Sequence, residues 1–75
     1  MRESIDTTNF DDVVWLQTAI ARLLGGQTHP VVLGVFDKTT VKMLQRIQHA
    51  AGLPRTGEPD QATLQHIQAV LESKT

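Results

Sequence analysis

Gly52-Leu-Pro-Arg-Thr-Gly-Glu-Pro-Asp-Gln-Ala-Thr63 is the stretch that decides how this chain folds. It places two glycines, two prolines and an Asp-x-x-Thr between two runs of helical periodicity. Gly52 falls where a left-handed residue closes a helix at least cost. Leu53 then folds back onto the last turn, and Pro54 prevents continuation. Thr56-Gly57 supports a tight turn. Asp60 is placed to cap the next helix, with Thr63 at its third position. The stretch reads as a rigid corner between two helices.

Working outward, the helix before the corner spans Lys38 to Ala51, with Val41, Leu44, Ile47 and Ala51 as its buried stripe. Asp37 is its N-cap and Thr40 its third residue, the same arrangement as Asp60 and Thr63. Phe36 before the cap and Val41 beyond it fit a hydrophobic staple. The helix after the corner runs from Gln61 to about Glu72 and buries Leu64, Ile67 and Leu71 or Val70. LQRIQHA at 44–50 resembles LQHIQAV at 64–70, which two similar helices packed on one core explain. A first helix, Asp11 to Leu24, carries Val13, Leu16, Ile20, Leu23 and Leu24 at helical spacing. Asn9 caps it, Asp11 and Asp12 suit the positive end of its dipole, and Gly25-Gly26 ends it. Between the first two helices, Pro30 disfavours helix at His29. The segment reads as an ordered loop with a short extended piece that pins Val35 and Phe36 into the core.

The predicted fold is therefore all-α: a small three-helix bundle with an ordered loop between helices 1 and 2. Residues 1–9 are expected to be a flexible N-terminal arm, 10–72 the domain and 73–75 a tail. Seventy-five residues suffice for one small domain. With no cysteine, neither a disulfide nor a cysteine-based metal site can stabilise it. A core of this size contributes only about 3–5 kcal/mol net, so caps and packing must supply the rest.

Seven Lys and Arg against eight Asp and Glu give a net charge of −1, and no segment concentrates basic residues. Nucleic acid is accordingly not an expected partner, and the last helix, with one lysine and no arginine, does not read as a recognition helix. No apolar run reaches membrane-spanning length, so no membrane insertion is expected. MRESIDTTNF lacks the apolar core of a signal peptide.

The order of motifs resembles a known pattern. Leu16-Gln17, Leu24-Gly25, Gly34-Val35-Phe36, Thr40, Ile47-Gln48, Gly52-Leu53, Thr56-Gly57, Asp60 and Thr63 are similar to the three-helix peptidoglycan-binding domains (the PGBD-like type). The likeness covers about Asp12 to Leu71. Leu33 stands where the family usually has Asp, Asp37 where it has Gly, and Ile47 where it often has Phe. The resemblance implies a non-catalytic bacterial or phage module that binds peptidoglycan, by its glycan or its stem peptide. Such a module targets an attached or associated wall-active protein, such as a wall hydrolase. It points to the cell envelope or periplasm. The alternative is a protein–protein interaction module reusing the fold in a secretion or phage assembly.

No catalytic set is visible. There is no His-Glu-x-x-His, and His29, His49 and His66 read as solvent-facing residues, not metal ligands. No cofactor is expected. The resemblance implies a shallow groove, with Gln17, Arg46, Gln48, His49 and Arg55 as candidate ligand-binding residues. Gln17 and Gln48 could equally brace loops by bonding backbone. On a helix wheel Trp15 points well over 100° from the core stripe. Trp15, Val32 and Leu33 are therefore a candidate partner surface, unless Trp15 covers the N-terminal arm as additional core.

Overall fold

The computed structural model describes residues 3–25 and 30–73. Three helices follow in order: α1 (Phe10–Leu24), α2 (Lys38–Ala50) and α3 (Gln61–Ser73). No strand occurs among the described residues. Gly26, His29 and the last two residues of the expected tail lie outside them, as do the first two residues of the expected arm.

Helix α1 begins because the Asn9 side-chain oxygen accepts from the Asp12 amide, at 3.0 Å. It packs against both α2 and α3. Leu16, Ala19 and Ile20 meet Met43, Leu44, Ile47, Leu64 and Ile67 in the interior, and Val13 is fully buried as well. Ala19 and Met43 are core residues that the periodicity alone did not single out. Leu71, rather than Val70, packs against the core. Ile5 and Trp15 also pack against it. Trp15 is thus half-buried as additional core, the second of its two readings, and not turned to solvent. A wheel treats the helix as isolated, whereas here segments before α1 also reach the core. Those segments are tied down. The Asp6 amide donates to the Asp12 carboxylate at 2.9 Å, and the Asn9 amide donates to the Asp6 carbonyl at 3.0 Å.

The corner after α2 is a double hydrogen-bonded helix stop. The Leu53 amide donates to the Gln48 carbonyl at 2.9 Å and the Gly52 amide to the His49 carbonyl at 3.1 Å. These are the 6→1 and 5→2 bonds of a Schellman motif. The Asp60 carboxylate then accepts from the Thr63 amide and hydroxyl, starting α3. Asp37 does the same for Thr40 at the start of α2.

The loop before α2 departs from expectation at one residue. Phe36 packs against the core, but Val35 is 48% exposed. The chain bends tightly at Phe36, where the Asp37 amide donates to the Val35 carbonyl at 3.1 Å, and does not run straight through both residues. What Val35 sends inward is its carbonyl, which accepts from the Gln17 amide nitrogen at 3.0 Å.

That bond belongs to a larger pattern. The Gln17 side chain is buried between α1 and the loop. Its Nε2 faces the Val32 carbonyl, the Val35 carbonyl and the Thr40 hydroxyl, at 3.0–3.2 Å. Its Oε1 accepts from the Gly34 amide at 2.8 Å. Gln48 is fully buried and repeats this one helix later. Its Nε2 faces the Thr56 hydroxyl, the Glu58 carbonyl and the Thr63 hydroxyl, at 3.0–3.1 Å. Its Oε1 accepts from the Gly57 amide at 2.9 Å. Two hydrogens serve three acceptors in each case, so at least one is shared. Flipping either amide would set its nitrogen against an N–H and its oxygen against a carbonyl, which fixes both orientations.

The glycines are required by the same contacts. Gly34 has φ 83° and would place a Cβ 2.2 Å from the Phe10 ring. Gly57 has φ 72° and would place one 2.6 Å from Val41 Cγ1. Both occupy backbone that other residues enter only at a cost of about 1–2 kcal/mol. Gln68, the counterpart of Gln48 in the echo between α2 and α3, donates to the Leu64 carbonyl of its own helix at 3.3 Å.

A buried polar group left without a partner costs about 1–3 kcal/mol. Gln48→Met strands the Gly57 amide and the Glu58 carbonyl together. Chemical denaturation of this variant should show a loss of about 2–4 kcal/mol, comparable to the whole stability of so small a domain. Gln48→Glu keeps the acceptor for Gly57 but presents no hydrogen to Glu58. Its loss should be larger at neutral pH than in mild acid, where protonation restores one donor. Losses below about 0.5 kcal/mol for both variants, the range of ordinary surface changes, would contradict the role given to Gln48.

Candidate functional site

The outer face of α2 and the corner that follows it form an open groove of about 700 Å³. Lys42, Met43, Gln45, Arg46, His49 and Arg55 line it. Lys42, Arg46 and His49 stand at i, i+4 and i+7, so the helix presents them on one face. Arg55 is contributed by the corner that follows α2. The Schellman stop turns the chain back, and Gln45 Nε2 reaches the Arg55 carbonyl at 3.4 Å. Met43 is a buried core residue beneath the groove, and the aliphatic stems of Lys42 and Arg46 can supply its apolar surface.

The charge distribution is uneven. Among the described residues, three of the five Lys and Arg line this groove, and none of its lining residues is acidic. Positions 42, 46 and 55 are too far apart in sequence to register as a basic segment. A helical face and a reversed corner bring them together.

Of the five candidate ligand residues, Arg46, His49 and Arg55 line this groove. Gln17 and Gln48 do not; both are buried and engaged with the loops described above. Lys42, Met43 and Gln45 are groove residues that sequence reasoning missed. The i, i+4 spacing of Lys42 to Arg46 was the available signal for Lys42. Val32 and Leu33 are about 60% exposed, and Phe10 and Val35 join them as exposed large apolar residues. Leu33 does not line the groove.

A second concavity, about 310 Å³, lies between the N-terminal segment and the start of α3. Ile5, Thr7, Phe36, Glu58, Pro59 and Asp60 line it. Asp60 is held below the usual carboxylate range, first by the Thr63 hydroxyl and then by the Thr63 amide. Asp37 is lowered likewise, chiefly by the Thr40 amide. Each carboxylate ends a chain of donors. In one, Gln17 donates to Thr40 and Thr40 to Asp37; in the other, Gln48 donates to Thr63 and Thr63 to Asp60. Among the described residues, no group of three or more His, Cys, Asp or Glu is arranged to hold a metal ion. None of their helices is long and apolar enough to cross a membrane.

The family description "Putative peptidoglycan binding domain" matches residues 10–67. No curated protein and no solved structure matches the chain. With a match over most of its length, this chain belongs to the peptidoglycan-binding domain family. The matched span takes in all of α1 and α2, both buried glutamines, both Asp-x-x-Thr caps and the whole groove.

The depressed carboxylates set a pH dependence. A group whose folded pKa lies below its unfolded value stabilises the fold above the unfolded pKa, and that stability is lost as pH falls through the folded pKa. The melting temperature should therefore fall as pH drops below about 4, the usual carboxylate range. Asp37→Asn with Asp60→Asn keeps both cap acceptors but cannot titrate. The double variant should lose less of its melting temperature between about pH 5 and pH 2. An unchanged slope in thermal melts would show that these caps do not carry the acid sensitivity.

Proposed function

We propose that this domain binds peptidoglycan through the α2 groove and so holds an attached or associated wall-active protein at the cell wall. The observation that carries the reading is the family match, together with a groove, inside the matched span, that gathers Arg46, His49 and Arg55. Peptidoglycan offers sugars, amides, and stem-peptide carboxylates and amines. A shallow polar groove with apolar surface in it suits such a ligand. The shape suits binding and not turnover, because an open groove cannot exclude water from a reacting bond. Gln17 and Gln48 act in this reading as positioning residues, fixing the loops around the groove without touching ligand. Modest affinity suffices, since tethering raises the local concentration of whatever is attached.

A second reading is favoured by one observation. Phe10, Val32, Leu33 and Val35 are all exposed, and the Phe10 ring lies against Gly34 in the same loop. This apolar surface would suit a protein partner in a secretion or phage assembly, or a neighbouring catalytic domain.

Sedimentation with purified insoluble sacculi separates the two. The folded domain should pellet at low and moderate salt, and Leu33→Asp should pellet equally well. A domain that stays in the supernatant would sink the wall-binding reading. Loss of pelleting in Leu33→Asp alone would move the wall contact from the groove to the apolar loop.

A further inference from the structure

Resting on the wall-binding reading above, we propose that the α2 groove recognises the free carboxylates of peptidoglycan stem peptides, not the sugar rings of the glycan. Two independent observations carry this.

The first is charge. Lys42, Arg46 and Arg55 face a groove with no acidic lining residue, in a chain whose net charge is −1. The guanidinium groups of Arg46 and Arg55 match the planar, two-oxygen geometry of a carboxylate. From Lys42 to His49 is seven residues, or about 10 Å along the helix axis at 1.5 Å per residue. An extended peptide covers that distance in about three residues. A stem peptide laid along α2 could therefore bring more than one carboxylate to the cations.

The second is the absence of a stacking surface. A sugar-binding groove gains most from an aromatic face against the C–H side of the pyranose ring. The chain has one tryptophan, two phenylalanines and no tyrosine, and none of them lines this groove. Trp15 and Phe36 pack against the core, and Phe10 lies against Gly34 in the loop before α2. The groove holds cations where a glycan would need a ring.

Because the groove is open, each ion pair is exposed and contributes no more than about fivefold in affinity. Recognition needs several pairs at once and weakens with salt.

The test uses the full chain and sacculi treated with hydrofluoric acid, which strips phosphate-bearing polymers. Binding is measured to three preparations: untreated in their carboxylates, amidated with carbodiimide and a neutral amine, and freed of stem peptides by an amidase. Binding to the first should exceed binding to the other two by roughly tenfold or more. Arg46→Gln with Arg55→Gln should bring binding to the first down by a similar factor while the circular dichroism melt is unchanged. Lys38→Gln, outside the groove, should leave binding as it is. Equal binding to native and amidated sacculi would overturn carboxylate recognition while leaving wall binding intact. So would full binding to the stripped glycan. Normal binding by the double arginine variant would overturn the assignment to this groove. Binding that disappears with hydrofluoric acid treatment would identify phosphate polymers as the ligand instead. Failure to bind any preparation, treated or not, would remove the wall-binding reading itself.

Discussion

Two buried primary amides set the shape of this domain. Gln17 and Gln48 each project from a helix into the loop that follows it and satisfy that loop's inward-facing backbone. A chain this short cannot bury enough apolar surface to order its connections by hydrophobic contact alone. A side chain with two donors and one strong acceptor offers another route. It replaces the water that the turn's N–H and C=O groups would lose on burial. Each amide also reaches the threonine hydroxyl at the third position of the next helix, and that hydroxyl reaches the capping aspartate. One glutamine thereby ties the body of one helix, the loop and the start of the next helix into a single hydrogen-bonded unit. Such networks are worth more when complete than the sum of their parts, and cost more when broken.

The caps and corners were legible because their chemistry is local. Asp37, Asp60, Asn9 and Gly52 act within three or four residues, and their roles follow from spacing alone. The helices and most of the core followed from periodicity. The glutamines were not separable in this way. A Gln beside an apolar stripe looks the same whether it faces solvent, a ligand or a loop. The parallel between them is also hidden by spacing, since Gln17 lies 17 residues before its glycine and Gln48 only nine before its own. The visible likeness of 44–50 to 64–70 is that of two similar amphipathic helices packed on one core. The physical repeat runs instead from α1 and its loop to α2 and its loop. Val35 shows the converse limit. Where its side chain ended up depended on the local turn and on the bond from Gln17 to its carbonyl, which no hydrophobicity pattern contains.

The groove inherits its form from this scaffold. Arg55 can join Arg46 and His49 only because the chain reverses after Ala51 and is held in that reversal. Gly57 is fastened to Gln48 from below, and the Schellman bonds close α2 from above. The basic character of the groove is thus a tertiary property, made from residues that are unremarkable in sequence. The same reasoning places the exposed aliphatics of the first loop. Once Gln17 draws the Val32 and Val35 carbonyls inward, the side chains of Val32, Leu33 and Val35 turn outward.

Native-state hydrogen exchange at Gly34 and Gly57 tests the role of the two amides most directly. Both residues sit in connecting loops, where backbone protons ordinarily exchange through small local openings. If the glutamines hold the loops, both amide protons should exchange nearly as slowly as those of Leu44 and Leu64 in the core, opening only when the domain unfolds. Exchange of either glycine at the rate of an open loop, with the helices still protected, would show that the loops are not anchored in this way.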